Sequence, residues 1–174
     1  MCAKSISGRQ RTSPIIRSPC WSIVVFSPPT YEKAKLFRER FRDNGWSGLW
    51  TDTIYDYTHF HSNAHEVLGI AEGHLNLRLG GDSGSLFRLK AGDMVIVPAG
   101  VGHRRVGNDK GLKVIGAYPR GQSHYDMKRK GRRVPKVALP SIDPFFGAEG
   151  PLVRAWQSAN SEKVPGWRLR ASPG

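Results

Sequence analysis

The chain has 174 residues, 39% of them hydrophobic, and sets 27 Lys+Arg against 14 Asp+Glu for a formal net charge of +13. That length suits one domain with a real core, since chains near this size bury roughly 70% of their unfolded surface. No apolar run approaches the ~20 residues that span a bilayer, and the two cysteines, Cys2 and Cys20, form no C-x-x-C pair and no disulfide framework is expected.

Residues 1–13 are polar and basic and read as a flexible arm. Ile15–Ile16 and Trp21–Phe26 predict short strands around Ser18-Pro19. The second run is too short for a signal-peptide core and is stopped by Ser27-Pro28-Pro29, so a soluble, cytoplasmic protein is expected. A helix follows, with Thr30 as its N-cap, Leu36, Phe37, Arg40 and Phe41 along one side, and Asn44-Gly45 as its stop. Phe37, Phe41 and Trp46 are expected to pack it onto the rest of the fold.

From Trp50 to about Tyr118, short runs rich in β-branched and aromatic residues alternate with Gly-containing turns. Ile54–His61, Glu66–Ala71, Leu75–Leu79, Leu86–Leu89, Met94–Val97 and Leu112–Tyr118 read as strands. Leu75, Leu77 and Leu79 alternate with Asn76 and Arg78, the pattern of a strand with one wet face. The loop Gly80-Gly81-Asp82-Ser83-Gly84 leads into no helix carrying a P-loop Lys, which argues against a phosphate cradle. Many short, evenly spaced strands predict a barrel or jelly roll.

Beyond Pro119, Asp126–Lys136 is charged and predicts a short helix, and the following segment predicts an ordered wrap anchored by Leu152, Val153 and Trp156. The expected organisation is an arm (1–13), an N-terminal strand and helix decoration (14–52), a barrel core (53–120), a C-terminal extension packed on the barrel (121–159) and a flexible tail (160–174). Lys128, Arg129, Lys130, Arg132, Arg133 and Lys136 form a basic run that reads as a solvated face. No helix-turn-helix or aromatic RNA platform accompanies it, so nucleic acid is not an expected partner.

Chemistry concentrates in His59, His61 and His65, followed at once by Glu66. Alternation along a strand puts His59 and His61 on one face, a natural start for a divalent metal site. By the same parity Tyr57 would line the cavity beside them or serve as a packed barrel aromatic. Ser62-Asn63-Ala64 has turn composition, so parity does not carry through to the next strand. Past the turn Glu66 shares a face with Leu68 and Ile70; parity favours Glu66 over His65 as the inward group without excluding His65. A further histidine from a distant strand would complete the set, and His103 follows the glycine-bearing turn Pro98-Ala99-Gly100-Val101-Gly102.

The stretch His59-x-His61-x4-Glu66-x6-Gly73 resembles the first motif of the cupin family, and Gly92-x5-Pro98-x-Gly100-x2-His103 resembles the second. Asn44-Gly45-Trp46, Tyr55–Tyr57, Gly116-Ala117-Tyr118-Pro119, Asp143-Pro144…Gly147 and Gly150-Pro151-Leu152 are similar to bacterial single-domain cupins of unassigned activity. Two positions depart from the motifs: Thr53 stands where a glycine is usual, and Asn108 lies one residue beyond the usual asparagine position. The resemblance implies an all-β cupin double-stranded β-helix, a jelly-roll barrel, with a short N-terminal helix and a C-terminal extension. It implies His59, His61, Glu66 and His103 as ligands of one divalent metal ion (Fe, Mn, Ni, Cu or Zn), with His65 outside the ligand set. It also implies a homodimer and a small-molecule ligand. The resulting expectation is a metal-dependent dioxygenase or isomerase, with a non-catalytic binding or sensor cupin as the alternative, because one fold serves many chemistries.

Overall fold

In the computed structural model, residues 15–18, 21–25, 32–108, 110–131 and 135–161 are described, with 15–18, 21–25 and 157–161 described by backbone alone. The basic arm, Cys2, Cys20, Phe26, the expected N-cap Thr30, Arg132, Arg133 and the chain after Ser161 lie outside the described residues.

Nine strands and two helices are described: β1 (Ile15–Ser18), β2 (Trp21–Val25), α1 (Lys33–Asp43), β3 (Ser47–Asp52), β4 (Glu66–Glu72), β5 (His74–Leu79), β6 (Ser85–Lys90), β7 (Asp93–Val97), β8 (His103–Arg105), β9 (Lys113–Tyr118) and α2 (Pro151–Ser161). They form a six-stranded antiparallel sheet of order β1-β2-β7-β4-β9-β3 and a three-stranded sheet of order β6-β5-β8. Strands from the segment before residue 53 thus join the large sheet directly, β2 against β7 and β3 against β9.

The two sheets close over a core of Leu68, Ile70, Leu75, Leu77, Leu79, Leu89, Val95, Val97 and Val114. Alternation explains the division of labour in β4. Leu68 and Ile70 face this inner core, whereas Val67 and Ala71 face α1 together with Met94, Ile96, Ile115 and Ala117. Both faces of β4 are therefore covered, which is why its sequence is a nearly unbroken apolar run rather than an alternating one.

Helix α1 packs on the outside of the large sheet through Phe37 and Phe41, one turn apart and both buried. Burying each ring stabilises the fold by roughly 1.5–3 kcal/mol. The approach is close: a Cβ on Gly69 would lie 2.8 Å from the Phe37 ring, so only glycine fits there. The helix ends in paired backbone bonds from Trp46 to Phe41 and from Gly45 to Arg42, with Gly45 at φ 76, the left-handed stop expected of Asn44-Gly45. The Trp46 indole then donates to the Ile142 carbonyl at 3.0 Å and ties the C-terminal segment to this face.

Three expectations are corrected. Ile54–His61 is not a continuous strand; β3 ends at Asp52 and the chain bends at Asp56 and Tyr57 before isolated bridges join His59 to His103 and Phe60 to Lys128. Asp126–Gly131 forms no helix. Lys128 instead pairs its backbone with Phe60, and a helix would set like charges four residues apart along the basic run. Asn160 belongs to a helix, α2, rather than to a tail beginning there. Pro151 opens that helix, where its missing N–H costs nothing, and Leu152, Val153 and Trp156 lie on it.

Candidate metal centre

His59, His61 and His103 converge at one end of the inner core, each buried, with one ring nitrogen from each within 4.8 Å of the others. His103 opens β8, whose far partner is β5, and its backbone exchanges hydrogen bonds with His59. That bridge brings the two distant stretches into register.

The protonation of these rings follows from their neighbours. His59 Nδ1 meets the Tyr57 carbonyl at 3.2 Å, His103 Nδ1 meets the Val101 carbonyl at 3.2 Å, and His61 Nδ1 meets the Asp126 carbonyl. A carbonyl oxygen only accepts, so each Nδ1 carries a proton, and in the neutral ring each Nε2 is left with a lone pair. The Nε2 of His103 is buried and makes no hydrogen bond. Three such lone pairs converging on one point suit a divalent cation, and an imidazole-rich donor set without thiolate suits first-row transition ions.

Glu66, the first residue of β4, shares the inward face of Leu68 and Ile70 and is 2% exposed. Its Oε2 lies 3.4 Å from both His61 Nε2 and His103 Nε2, longer than a good hydrogen bond. Its Oε1 accepts from the Tyr118 hydroxyl at 2.6 Å, and that hydroxyl in turn accepts from the Trp50 indole at 3.2 Å. One carboxylate oxygen is thus engaged and the other faces the histidines.

The electrostatics favour a neutral His59 and an ionised Glu66, and also favour a proton on His61 that a bound cation would displace. Burial opposes ionisation of Glu66, but His103 and His61 beside it hold its carboxyl well below the usual range. Burial lowers His59 to about 4, with His103 adding to the effect. Burial also works against a charged His61, yet Glu66 and the Asp126 carbonyl carry it above its ordinary value. Burial and Glu66 push the Tyr118 hydroxyl far up, so it stays a donor.

His65 faces the other way. Its Nδ1 accepts from the Ala99 N–H at 3.0 Å and its ring packs on Trp156, with centroids 4.9 Å apart. Burial lowers it to about 4.

A cavity of about 260 Å³ opens over the cluster, lined by Trp50, Ile54, Tyr55, Tyr125 and Met127 along with the polar groups Thr51, Asp52 and Thr53. Tyr57 does not line it. Strand parity does not extend through the bend at residues 56–57; Tyr57 stacks on Tyr55 at 4.8 Å and meets His59 edge-on at 5.7 Å, with the Arg129 guanidinium 4.3 Å over its ring. A larger hollow of about 690 Å³ lies between Lys33, Ala34 and Lys35 of α1 and the Glu72-Gly73 turn, without a histidine among its lining residues.

Four contributors escaped the sequence reading as site residues. Tyr118 holds Glu66, Tyr125 stacks on Tyr118 at 4.1 Å and meets His61 edge-on, the Asp126 carbonyl orients His61, and Tyr55 forms a wall. The 125–128 segment is fastened by the Asp126 carboxylate, which accepts from the Ser62 N–H at 2.6 Å and the Ser62 hydroxyl at 2.5 Å and pairs with Lys128. Tyr118 and Tyr55 lie in stretches similar to bacterial single-domain cupins, a signal that gave them no role; Tyr125 and Asp126 lie on chain that folds back more than sixty residues after His61.

The fold and the paired motifs define a cupin. Residues 50–115 match the cupin domain family. Over 121 residues the chain is 37% identical to the uncharacterized protein YjlB of Bacillus subtilis (strain 168), spanning 65% of this chain and 73% of that protein. The protein belongs to the cupin family, among bacterial single-domain members of unassigned activity.

Solved structures show more distant likeness. Acireductone dioxygenase from Bacillus anthracis, with a cadmium ion in its active centre, is 18% identical with a TM-score of 0.38, over 51% of this chain and 60% of that chain. A double-stranded β-helix protein from Klebsiella pneumoniae is 14% identical with a TM-score of 0.37, over 74% of this chain and 86% of that chain. The oxalate decarboxylase of Lactobacillus farciminis, in a formate complex, is 15% identical with a TM-score of 0.39, over 67% of this chain and 33% of that chain.

Proposed function

We propose that this cupin is a small-molecule metalloenzyme of dioxygenase or isomerase type, with one divalent ion held by His59, His61, His103 and Glu66 Oε2. The observation that carries the reading is the set of three Nδ1–H groups fixed on backbone carbonyls, which aims three Nε2 lone pairs at one buried point. When bound, the ion would act as a Lewis acid that polarises a chelated oxygen or organises oxygen chemistry beside it.

The chain's own groups then have separate tasks. The carbonyls of Tyr57, Val101 and Asp126 keep the rings in the ligating tautomer. Tyr118 occupies Glu66 Oε1, so the carboxylate presents a single oxygen. Trp50, Tyr125 and Met127 narrow the cavity and exclude water around a bound molecule.

The test is to load the protein separately with Fe(II), Mn(II), Ni(II), Cu(II) and Zn(II). Oxygen uptake and isomer formation are then followed with chelating diols, thiols and keto acids. Turnover that needs the metal and disappears in His61→Ala supports the enzyme reading. Tight ligand binding with no turnover under any metal contradicts it.

A further inference from the structure

The walls of the cavity are discordant with the charge of the chain. The protein carries 27 Lys+Arg, yet among the described residues none lines the 260 Å³ cavity. Its charged lining groups are Asp52 and Glu66, both acidic.

Described basic side chains on the neighbouring segments are turned to other work. Arg105 donates through Nε to the Ile54 carbonyl and through its guanidinium to the Gly107 carbonyl. Lys128 bonds to Ser62 and Asp126. Arg129 lies over Tyr57, and neither is among the residues lining the cavity. Among the described residues, a free carboxylate or phosphate on a ligand would meet no side-chain cation lining the cavity, and Asp52 would repel it.

The remaining wall is aromatic and apolar: Trp50, Ile54, Tyr55, Tyr118, Tyr125 and Met127. Flat faces of this kind suit a planar ring or an enediol. A cavity of about 260 Å³ lies at the small end of ligand sites and suits a compact molecule.

Resting on the metal-centre reading above, we infer that the site takes a small planar diol that is uncharged outside its chelating oxygen pair, of the ortho-dihydroxyarene class, and discriminates against carboxylate-bearing analogues. The chelating pair would meet the ion, and the ring would lie among the aromatic side chains.

The experiment uses the full chain loaded with Co(II), whose visible absorption reports ligand entry without any turnover. Titration with catechol, 3,4-dihydroxybenzoate and oxalate at pH 7 gives three dissociation constants. Catechol is expected to bind at least tenfold more tightly than either carboxylate. Thr53→Lys places a cation on the exposed rim and is expected to raise the affinity for 3,4-dihydroxybenzoate relative to catechol at least threefold. Equal or tighter binding of a carboxylate by the unaltered protein, or no spectral response to catechol, overturns the inference. Failure to take up Co(II) would show before any ligand is added and would bring down the metal-centre reading itself, and this inference with it.

Discussion

Tyr118 reaches from β9 to donate its hydroxyl to Glu66 Oε1 on β4 at 2.6 Å, in a buried contact between residues 52 apart in the chain. The bond divides the carboxylate into an anchored oxygen and an oxygen that faces His61 and His103. Groups that orient a ligand in this way typically matter 10–100-fold for metal affinity. Tyr118→Phe keeps the ring and removes the donor. The variant is expected to fold, to lose about 1–2 kcal/mol of stability, and to bind a divalent ion roughly tenfold more weakly. Competition against a chromophoric chelator measures the affinity; unchanged affinity would remove Tyr118 from the site's machinery.

Metal binding should appear as stability. An ion that binds only the folded chain adds about 2.7 kcal/mol at a hundredfold excess over its dissociation constant. Thermal unfolding of the chelator-stripped protein is expected to shift upward by several degrees when Ni(II) or Zn(II) is restored. The same addition should leave His59→Ala unmoved. An equal shift in both proteins would place the binding elsewhere.

Asp143 is fully buried and accepts three backbone N–H groups, from Phe145 and Phe146 at 2.9 Å and from Leu152 in the first turn of α2 at 3.0 Å. It joins the 143–147 turn to the start of α2. A Cβ on Gly150 would lie 2.1 Å from the Asp143 Cβ, so the junction has no room for a side chain. Bonds to a carboxylate contribute about 1.5–3 kcal/mol each and do not add fully. Asp143→Ala is expected to cost at least about 3 kcal/mol in urea unfolding, and Gly150→Ala should be destabilising for the steric reason. A loss under about 1 kcal/mol in Asp143→Ala would show that the junction is held by other contacts.

Asp93 gives a pH dependence away from the histidines. Its Oδ2 accepts the Lys90 N–H at 2.9 Å, while Oδ1 is buried with no partner. Burial raises its carboxyl above the usual range despite the Lys90 contact. An acid raised on folding favours the folded state when protonated, so its contribution is complete below the unfolded value near 3.8 and is lost as pH rises through the folded value. Asp93→Asn retains an acceptor for Lys90 and removes the buried charge. Its melting temperature is expected to exceed that of the parent at pH 7, with the difference closing toward pH 3.5. A lower melting temperature at pH 7 would show that the charge is favourable where it stands.

Much of this architecture is legible in the chain, and the failures have a common cause. The stop at Asn44-Gly45, the buried pair Phe37 and Phe41, and the inward run of Leu75, Leu77 and Leu79 all follow from local periodicity and local backbone preference. His59 and His61 do reach one site, although by a single bridge to His103 rather than by lying in a continuous strand. Tyr57 shows what that difference costs: the parity that groups it with the histidines is broken at residues 56–57. The roles of Tyr125 and Asp126 depend on a segment that returns across the site from more than sixty residues away, and no local pattern encodes that return.

The most direct test of the central claim is the metal content of the purified protein, measured by elemental analysis beside His103→Ala and Glu66→Gln. His103 is the proposed ligand from the distant strand, and its Nε2 is one of the buried atoms among the described residues with no hydrogen-bond partner. Close to one transition-metal ion per chain is expected after reloading and dialysis, near zero in His103→Ala, and a weakened, partial content in Glu66→Gln. Retention of a full equivalent by His103→Ala would contradict the claim.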